Sequence, residues 1–147
     1  AWPDKPIKLV VPYPPGGATD VIGRIVAQRL STALGQQVLV DSRPGAAGAV
    51  GMEYAAKQPA DGYTFLTVIG AHAANATLYA GRLPYDVVKS FAPVSLVGIA
   101  PLVMTVTNNL PAKDMKELIA YAKANPGKLS FGSSGVCGTL RLPKLID

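Results

Sequence analysis

The chain is poor in the residues that carry reactive chemistry: among 147 residues it has one cysteine, one histidine and one tryptophan. A lone cysteine, Cys137, excludes an internal disulfide and leaves the redox compartment open. A lone histidine outside any Cys/His cluster excludes the ligand spacings of a metal site. No apolar run reaches the roughly 18 uncharged residues that a membrane helix needs. The longest candidate, VSLVGIAPLVMTV, is too short and carries a proline. Charged residues make up only 16%, and the net charge of +5 comes from lysines and arginines scattered along the chain. Without a basic run or a basic stripe interleaved with aromatics, a nucleic-acid partner is not expected. The charge reads as solubility, or as a mild attraction for small anions.

Apolar residues account for 49% of the chain, with 15 glycines and 13 prolines. That composition describes a globular protein with many tight turns. The length suffices for one good domain and falls short of two complete ones. The first residues, AWPDKP, show no basic-then-apolar leader; they read as a mature end left by signal cleavage or as a cut made elsewhere.

The pattern alternates. Ile7 to Val11 is a β-branched run of the kind found in a strand covered on both faces. From Thr19 the period changes, and Ile22, Ile25, Val26, Leu30, Ala33 and Leu34 are expected on one helical face. Thr19 suits the N-cap, Asp20 the first turn and Gly35 the stop. Residues 37–40 read as a strand, 46–57 as a small-residue helix able to pack closely, and 64–70 as a third strand. This order argues for an α/β layered sandwich with right-handed crossovers. An extended apolar stretch, 93–107, follows, bent at Pro101. A helix MKELIAYAKA starts near Lys113 or Asp114 and is ended by Asn125-Pro126-Gly127; KLSFGSSG then gives a strand and a loop. The expected division is a first α/β lobe over 1–107, without its C-terminal return, and the truncated beginning of a second over 108–147, where Pro143 interrupts a would-be helix.

The segment PYPPGGATD, between the first strand and the first helix, raises the functional question. The first amides of a helix have no internal partners and carry partial positive charge. Glycines beside them let a ligand approach the backbone. Two readings stay open: a plain turn, or a seat for a carboxylate or phosphate made of N–H groups. The glycines fit neither the phosphate-loop nor the dinucleotide pattern, and no cofactor is expected. GAHAAN (70–75) and GSSG (132–135) occupy equivalent places after later strands, and three such loops converging would line a polar cleft for a small anion. An enzyme acting through His72 or Cys137 is the alternative, although no nucleophile–base–acid set is visible. Arg43 reads as the brace of a turn.

Taken together, WPDKPIKLVVPYPPGGATDVIGRIVAQRLSTALGQQVLVDSRPGAAGAVG, AKQPADGYTFL, LPYDVVKSFAPVSLVG and LPAKDMKELIAYAKANPGKLSFGSSG resemble the Bug-type extracytoplasmic solute receptors of tripartite tricarboxylate transporters. The resemblance covers roughly residues 2 to 135. It implies a periplasmic-binding-protein-like fold of two α/β domains joined by crossing strands and closing on a small organic acid. It further implies a periplasmic location, membrane transporter subunits as partners and no catalysis. The ligand-binding residues it implies are Gly16, Gly17, Ala18 and Thr19 with Asp20 adjacent, Gly70, Ala71, His72 and Asn75, and Ser133, Ser134 and Gly135 from the second lobe. Family members usually run longer, and where their pattern continues Gly-x-Gly-Thr towards a His-Leu helix this chain has Gly135-Val136-Cys137-Gly138-Thr139. An incomplete two-lobe fold leaves apolar surface exposed, so self-association through the truncated second lobe is a further expectation.

Overall fold

A computed structural model describes residues 1–101 and 103–130. They fall into two compact units, Ala1–Pro93 and a second beginning at Val94.

The first unit is built on three parallel strands, β1 (Ile7–Val11), β2 (Val38–Ser42) and β3 (Thr64–Leu66), in the order β2-β1-β3. Ile7 is paired with Val38 and Leu9 with both Val40 and Phe65, so the apolar positions of all three strands fall in register. Helix α1 (Ala18–Leu34) connects β1 to β2. A 3-10 turn (Ala46–Gly48) running into α2 (Ala49–Ala56) connects β2 to β3, and α3 (Ala71–Leu78) follows.

Side chains alternate across a strand, and the contacts show which helix takes which face. Gly23 of α1 lies against Val11 and Leu9, while Gly51 of α2 lies against Pro12 and Tyr54 of α2 meets Lys8. The two helices therefore cover opposite faces, and the central strand is buried almost throughout: Ile7, Leu9, Val10 and Val11 are all buried. Ile7, Leu9, Ala27 and Val38 form the core on the α1 side, with Leu34, Val40, Tyr63 and Phe65 packed around them. Each fully buried aliphatic side chain contributes about 1.5–3 kcal/mol.

Close packing corrects the expected face of α1. Its buried residues are Asp20, Gly23 and Ala27, a seam of small and polar positions, whereas Ile22, Ile25 and Leu30 are exposed. The apolar period locates the helix but misplaces its contact line, because a glycine lets the helix approach the sheet more closely than an isoleucine allows. The cap is corrected too. The helix begins two residues earlier than expected, with Gly17 in an extended conformation as N-cap and no side-chain cap, so Thr19 lies inside the first turn. Gly35, with φ 67°, ends the helix as expected. The third strand stops at Leu66 rather than continuing to residue 70.

In the second unit, α4 (Met115–Ala124) has a reciprocal N-terminal cap. The Glu117 amide donates to Asp114 Oδ1 at 2.8 Å, and Glu117 Oε2 accepts from the Lys113 amide at 2.7 Å. This resolves the expected start in favour of Asp114. Among the described residues of 93–107 there is no strand, and Val94, Leu96, Ile99 and Val103 are strongly exposed.

The contact between α2 and β1 yields a prediction. A Cβ on Gly51 would sit 2.6 Å from Pro12 Cβ and 2.8 Å from the Arg43 carbonyl oxygen. Gly51→Ala is expected to destabilise by about 1–3 kcal/mol, lowering the melting temperature by roughly 4–8 °C per kcal/mol. Gly81→Ala, at φ 70° with open space around it, bears only backbone strain and should be milder. Thermal denaturation followed by circular dichroism decides, and equal losses at the two sites would refute the close packing.

Candidate functional site

The segments following the three strands leave from their carboxyl ends, where open parallel sheets bind ligands. The first, Pro12 to Gly17, runs from β1 into α1. Two of its amides have internal partners: the Gly16 amide donates to Asp20 Oδ2 at 3.0 Å, and the Gly17 amide donates to the Pro14 carbonyl at 3.3 Å. The Val21 amide closes the first helical turn onto Gly17 O at 3.0 Å. Between these, the amides of Ala18, Thr19 and Asp20 have no acceptor among the described residues. The N–H groups free to meet an anion are therefore displaced along the chain from the glycine pair to Ala18–Asp20. Gly16, at φ 81°, makes the turn that exposes them.

Asp20 faces inward and is only 3% exposed. Its Oδ2 accepts from Arg24 Nε at 3.0 Å as well as from Gly16, and its Oδ1 accepts from the Ser42 hydroxyl at 3.4 Å. The Arg24 hydrogen bond, then the Gly16 amide, hold its carboxyl below the ordinary aspartate range against the opposing effect of burial. Asp20 thus ties the first loop to its own helix and to the end of β2, and it is a partner of the loop rather than an open ligand contact.

The second segment, Arg43 to Gly48, carries four successive left-handed residues: Gly45 (φ 141°), Ala46 (φ 45°), Ala47 (φ 54°) and Gly48 (φ 93°). Two are alanines, a strained state that needs support from its surroundings. Arg43 is ion-paired with Asp41 at 2.9 Å and its guanidinium lies 3.5 Å from the centre of the Tyr54 ring, so it braces the turn.

The third segment begins α3. GAHAAN, read as a loop, is helical from Ala71, with Gly70 as its N-cap. Gly70 is exposed and Ala71 buried. His72 Nε2 lies 2.9 Å from the Val87 carbonyl, which assigns the ring proton to that nitrogen, and Nδ1 lies 3.2 Å from the Met52 sulfur. Both nitrogens have intramolecular neighbours. Asn75 is fully buried; its Nδ2 donates to the Ala47 carbonyl at 3.5 Å, and its Oδ1 has no partner among the described residues.

Tyr13 joins the segments. Its hydroxyl accepts from the Ile69 amide at 3.4 Å, and its ring lies so close to Gly48 that a Cβ there would be 3.1 Å away. Burial raises its pKa. The structure therefore brings Gly16–Asp20, Gly70–His72 and Asn75 to one edge of the sheet. Ser133, Ser134, Gly135 and Cys137 lie outside the described residues. Sequence reading missed Tyr13, Ser42, Met52 and the Ala46–Ala47 turn. An aromatic flanked by prolines directly after a buried strand was the available signal for Tyr13; an alanine pair gives no hint of left-handed backbone.

A parallel α/β sheet with an open helix N-terminus at its carboxyl edge is an arrangement that periplasmic binding proteins share with other open α/β folds, and comparison places the chain among the binding proteins. The tripartite tricarboxylate transporter family receptor pattern matches residues 22–145. The chain is 42% identical over 135 residues to Protein BugT of Bordetella pertussis, covering 88% of this chain and 40% of that protein. It superposes on R. palustris Rpa4515 with adipate at a TM-score of 0.78 and 40% identity, covering 88% of this chain and 43% of the other. On MatC of Rhodopseudomonas palustris with bound malate the values are 0.73 and 29%, covering 84% and 42%. The chain belongs to the tripartite tricarboxylate transporter receptor family, whose members are binding proteins rather than enzymes. It spans about two-fifths of the length of the curated relatives it matches.

The Asp20 environment makes acid stability a test. A carboxyl held low in the folded state contributes stability that is fully present above its unfolded value, about pH 4, and is lost as pH falls through the folded value. Urea unfolding of the native chain and Asp20→Asn between about pH 2 and 7 should show the native advantage shrinking only below about pH 4. A difference constant across that range would contradict the assignment.

Proposed function

We propose that this chain forms the first lobe, residues 1–107, and the beginning of the second, residues 108–147, of an extracytoplasmic receptor that captures a small organic carboxylate in the periplasm and delivers it to membrane transporter subunits. No cofactor takes part. The carrying observation is the row of unpartnered amides at Ala18, Thr19 and Asp20, set at the N-terminus of a 17-residue helix in a segment free of lysine and arginine. Such donors bind a carboxylate through oriented N–H groups and the helix dipole. The adipate and malate held by two solved relatives favour a dicarboxylate as solute. Gly16 and Gly17 shape the seat, Gly70, Ala71 and His72 follow the third strand at the same edge of the sheet, and Asn75 holds the neighbouring Ala47 carbonyl.

One substitution isolates the amide chemistry. Ala18 is the first helical residue, where proline fits, and Gly17 already has the extended backbone (φ −73°, ψ 165°) that a following proline demands. Ala18→Pro removes one N–H and leaves the helix intact. Titration calorimetry with adipate and malate is expected to show binding by the native chain and a loss of about 10- to 100-fold in the variant, the size of one hydrogen bond to a charged group. Native-like affinity in the variant would remove the amide from the site, and no binding of either acid by the folded native chain would overturn the carboxylate reading.

Self-association is a second proposal, favoured by the exposed Val94, Leu96, Val97, Ile99 and Val103 in the second unit. Contiguous exposed apolar residues mark association surfaces. Sedimentation equilibrium should show a concentration-dependent dimer that Leu96→Lys with Ile99→Lys abolishes; a native chain monomeric at all concentrations refutes it.

A further inference from the structure

The binding reading does not account for Met52, the largest fully buried side chain of the first unit. Its thioether sits at the meeting point of three segments. His72 Nδ1 is 3.2 Å from the sulfur, Tyr85 Oη 3.5 Å and Asn75 Nδ2 3.9 Å. Phe91 closes the group from the side, edge-on to His72 at 5.5 Å and to Tyr85 at 5.8 Å between ring centres. The Met52 methyl also crowds Gly48, where a Cβ would lie 3.0 Å away.

The Tyr85 hydroxyl and the Asn75 amide nitrogen are donors that need an acceptor here, and an alkyl side chain of the same volume supplies none. Sulfur is a weak acceptor for both, and its polarisability also suits the close packing of His72 Nδ1, whose ring proton is on the other nitrogen. The consequence runs through Asn75. Its Oδ1 has no partner among the described residues, so its Nδ2 contacts with Met52 and the Ala47 carbonyl are what fix the amide. That amide in turn holds the carbonyl of the left-handed Ala46–Ala47 pair, whose strain persists only where neighbours determine it.

We infer that the Met52 sulfur is a positioning group: it sets the Ala46–Ala47 turn, the start of α3 and the segment around Tyr85 in the mutual arrangement that ligand capture uses. This rests on the carboxylate reading for its effect on affinity, although the contacts themselves stand apart from any ligand.

The test uses the full chain with Met52→Leu, and with norleucine or selenomethionine in place of methionine. Side-chain nitrogen NMR of Asn75 and His72 without ligand reports the arrangement; calorimetry with malate and adipate reports affinity. Selenomethionine, which keeps a soft acceptor, should leave both readouts unchanged. Met52→Leu and norleucine, folded by circular dichroism, should shift the Asn75 and His72 signals and weaken binding about tenfold, the size of one or two neutral hydrogen bonds. If the leucine variant fails to fold, the norleucine chain, which keeps the unbranched shape, decides alone. Unchanged Asn75 and His72 signals in a chain lacking the sulfur overturn the inference. Loss of binding by the native chain itself would instead overturn the carboxylate reading, and the ligand-free signals still settle the role of Met52.

Discussion

A buried carboxylate directly beneath a helix N-terminus organises the binding edge of the first unit. Asp20 accepts from the loop that precedes its helix, from an arginine one turn further on and from a serine at the end of the neighbouring strand. Without it, the Gly16 amide would be one more unpartnered donor, and the glycine pair would be free to rearrange. By engaging that amide, Asp20 fixes the turn, the Gly17 amide is held by the Pro14 carbonyl, and the amides of Ala18, Thr19 and Asp20 are left without an acceptor among the described residues. On the proposed reading, these bonds would hold the seat in shape before any solute arrives, which limits the ordering entropy of binding.

The sheet makes this arrangement possible. Both faces of β1 are covered by helices that approach through glycines, Gly23 on one side and Gly51 on the other. Close approach draws α1 and α2 towards the central strand, so the segments following all three strands emerge beside one another. Tyr13 then spans them, with its hydroxyl on the Ile69 amide and its ring against Gly48. Backbone donors near a single edge follow from tight packing in the layers beneath, and a bulkier residue at either glycine would separate the loops it feeds.

The alternation of elements was legible in the chain because short apolar, β-branched runs alternate with helical periods and turn residues, with a glycine stop after α1. Strand β1 and the end of α1 at Gly35 are where their residues place them. The contact line of α1 was not legible, since hydrophobic period favours Ile22 and Ile25 while the sheet accepts Gly23 and Ala27. The open start of α1 could be read from a glycine pair after a strand. Which amides remain open could not, because that depends on where the Asp20 side chain turns. The left-handed Ala46 and Ala47 were equally hidden: alanine is a helix former, and the tertiary contact the structure shows on this turn, Asn75 on the Ala47 carbonyl, comes from a residue 28 positions away.

An anion seat above a buried negative charge looks self-opposing. Arg24 resolves the conflict: its guanidinium, 3.0 Å from Asp20, balances the carboxylate locally and lies one turn along the helix rather than in the seat. On the proposed reading, an arriving carboxylate would meet N–H dipoles set over an ion pair rather than over an unbalanced charge. A lysine in the seat would bind any anion strongly and release it reluctantly, with an affinity that salt screens. Oriented amides over a balanced ion pair instead reward oxygens placed where the dipoles point, so selection by shape outweighs selection by charge.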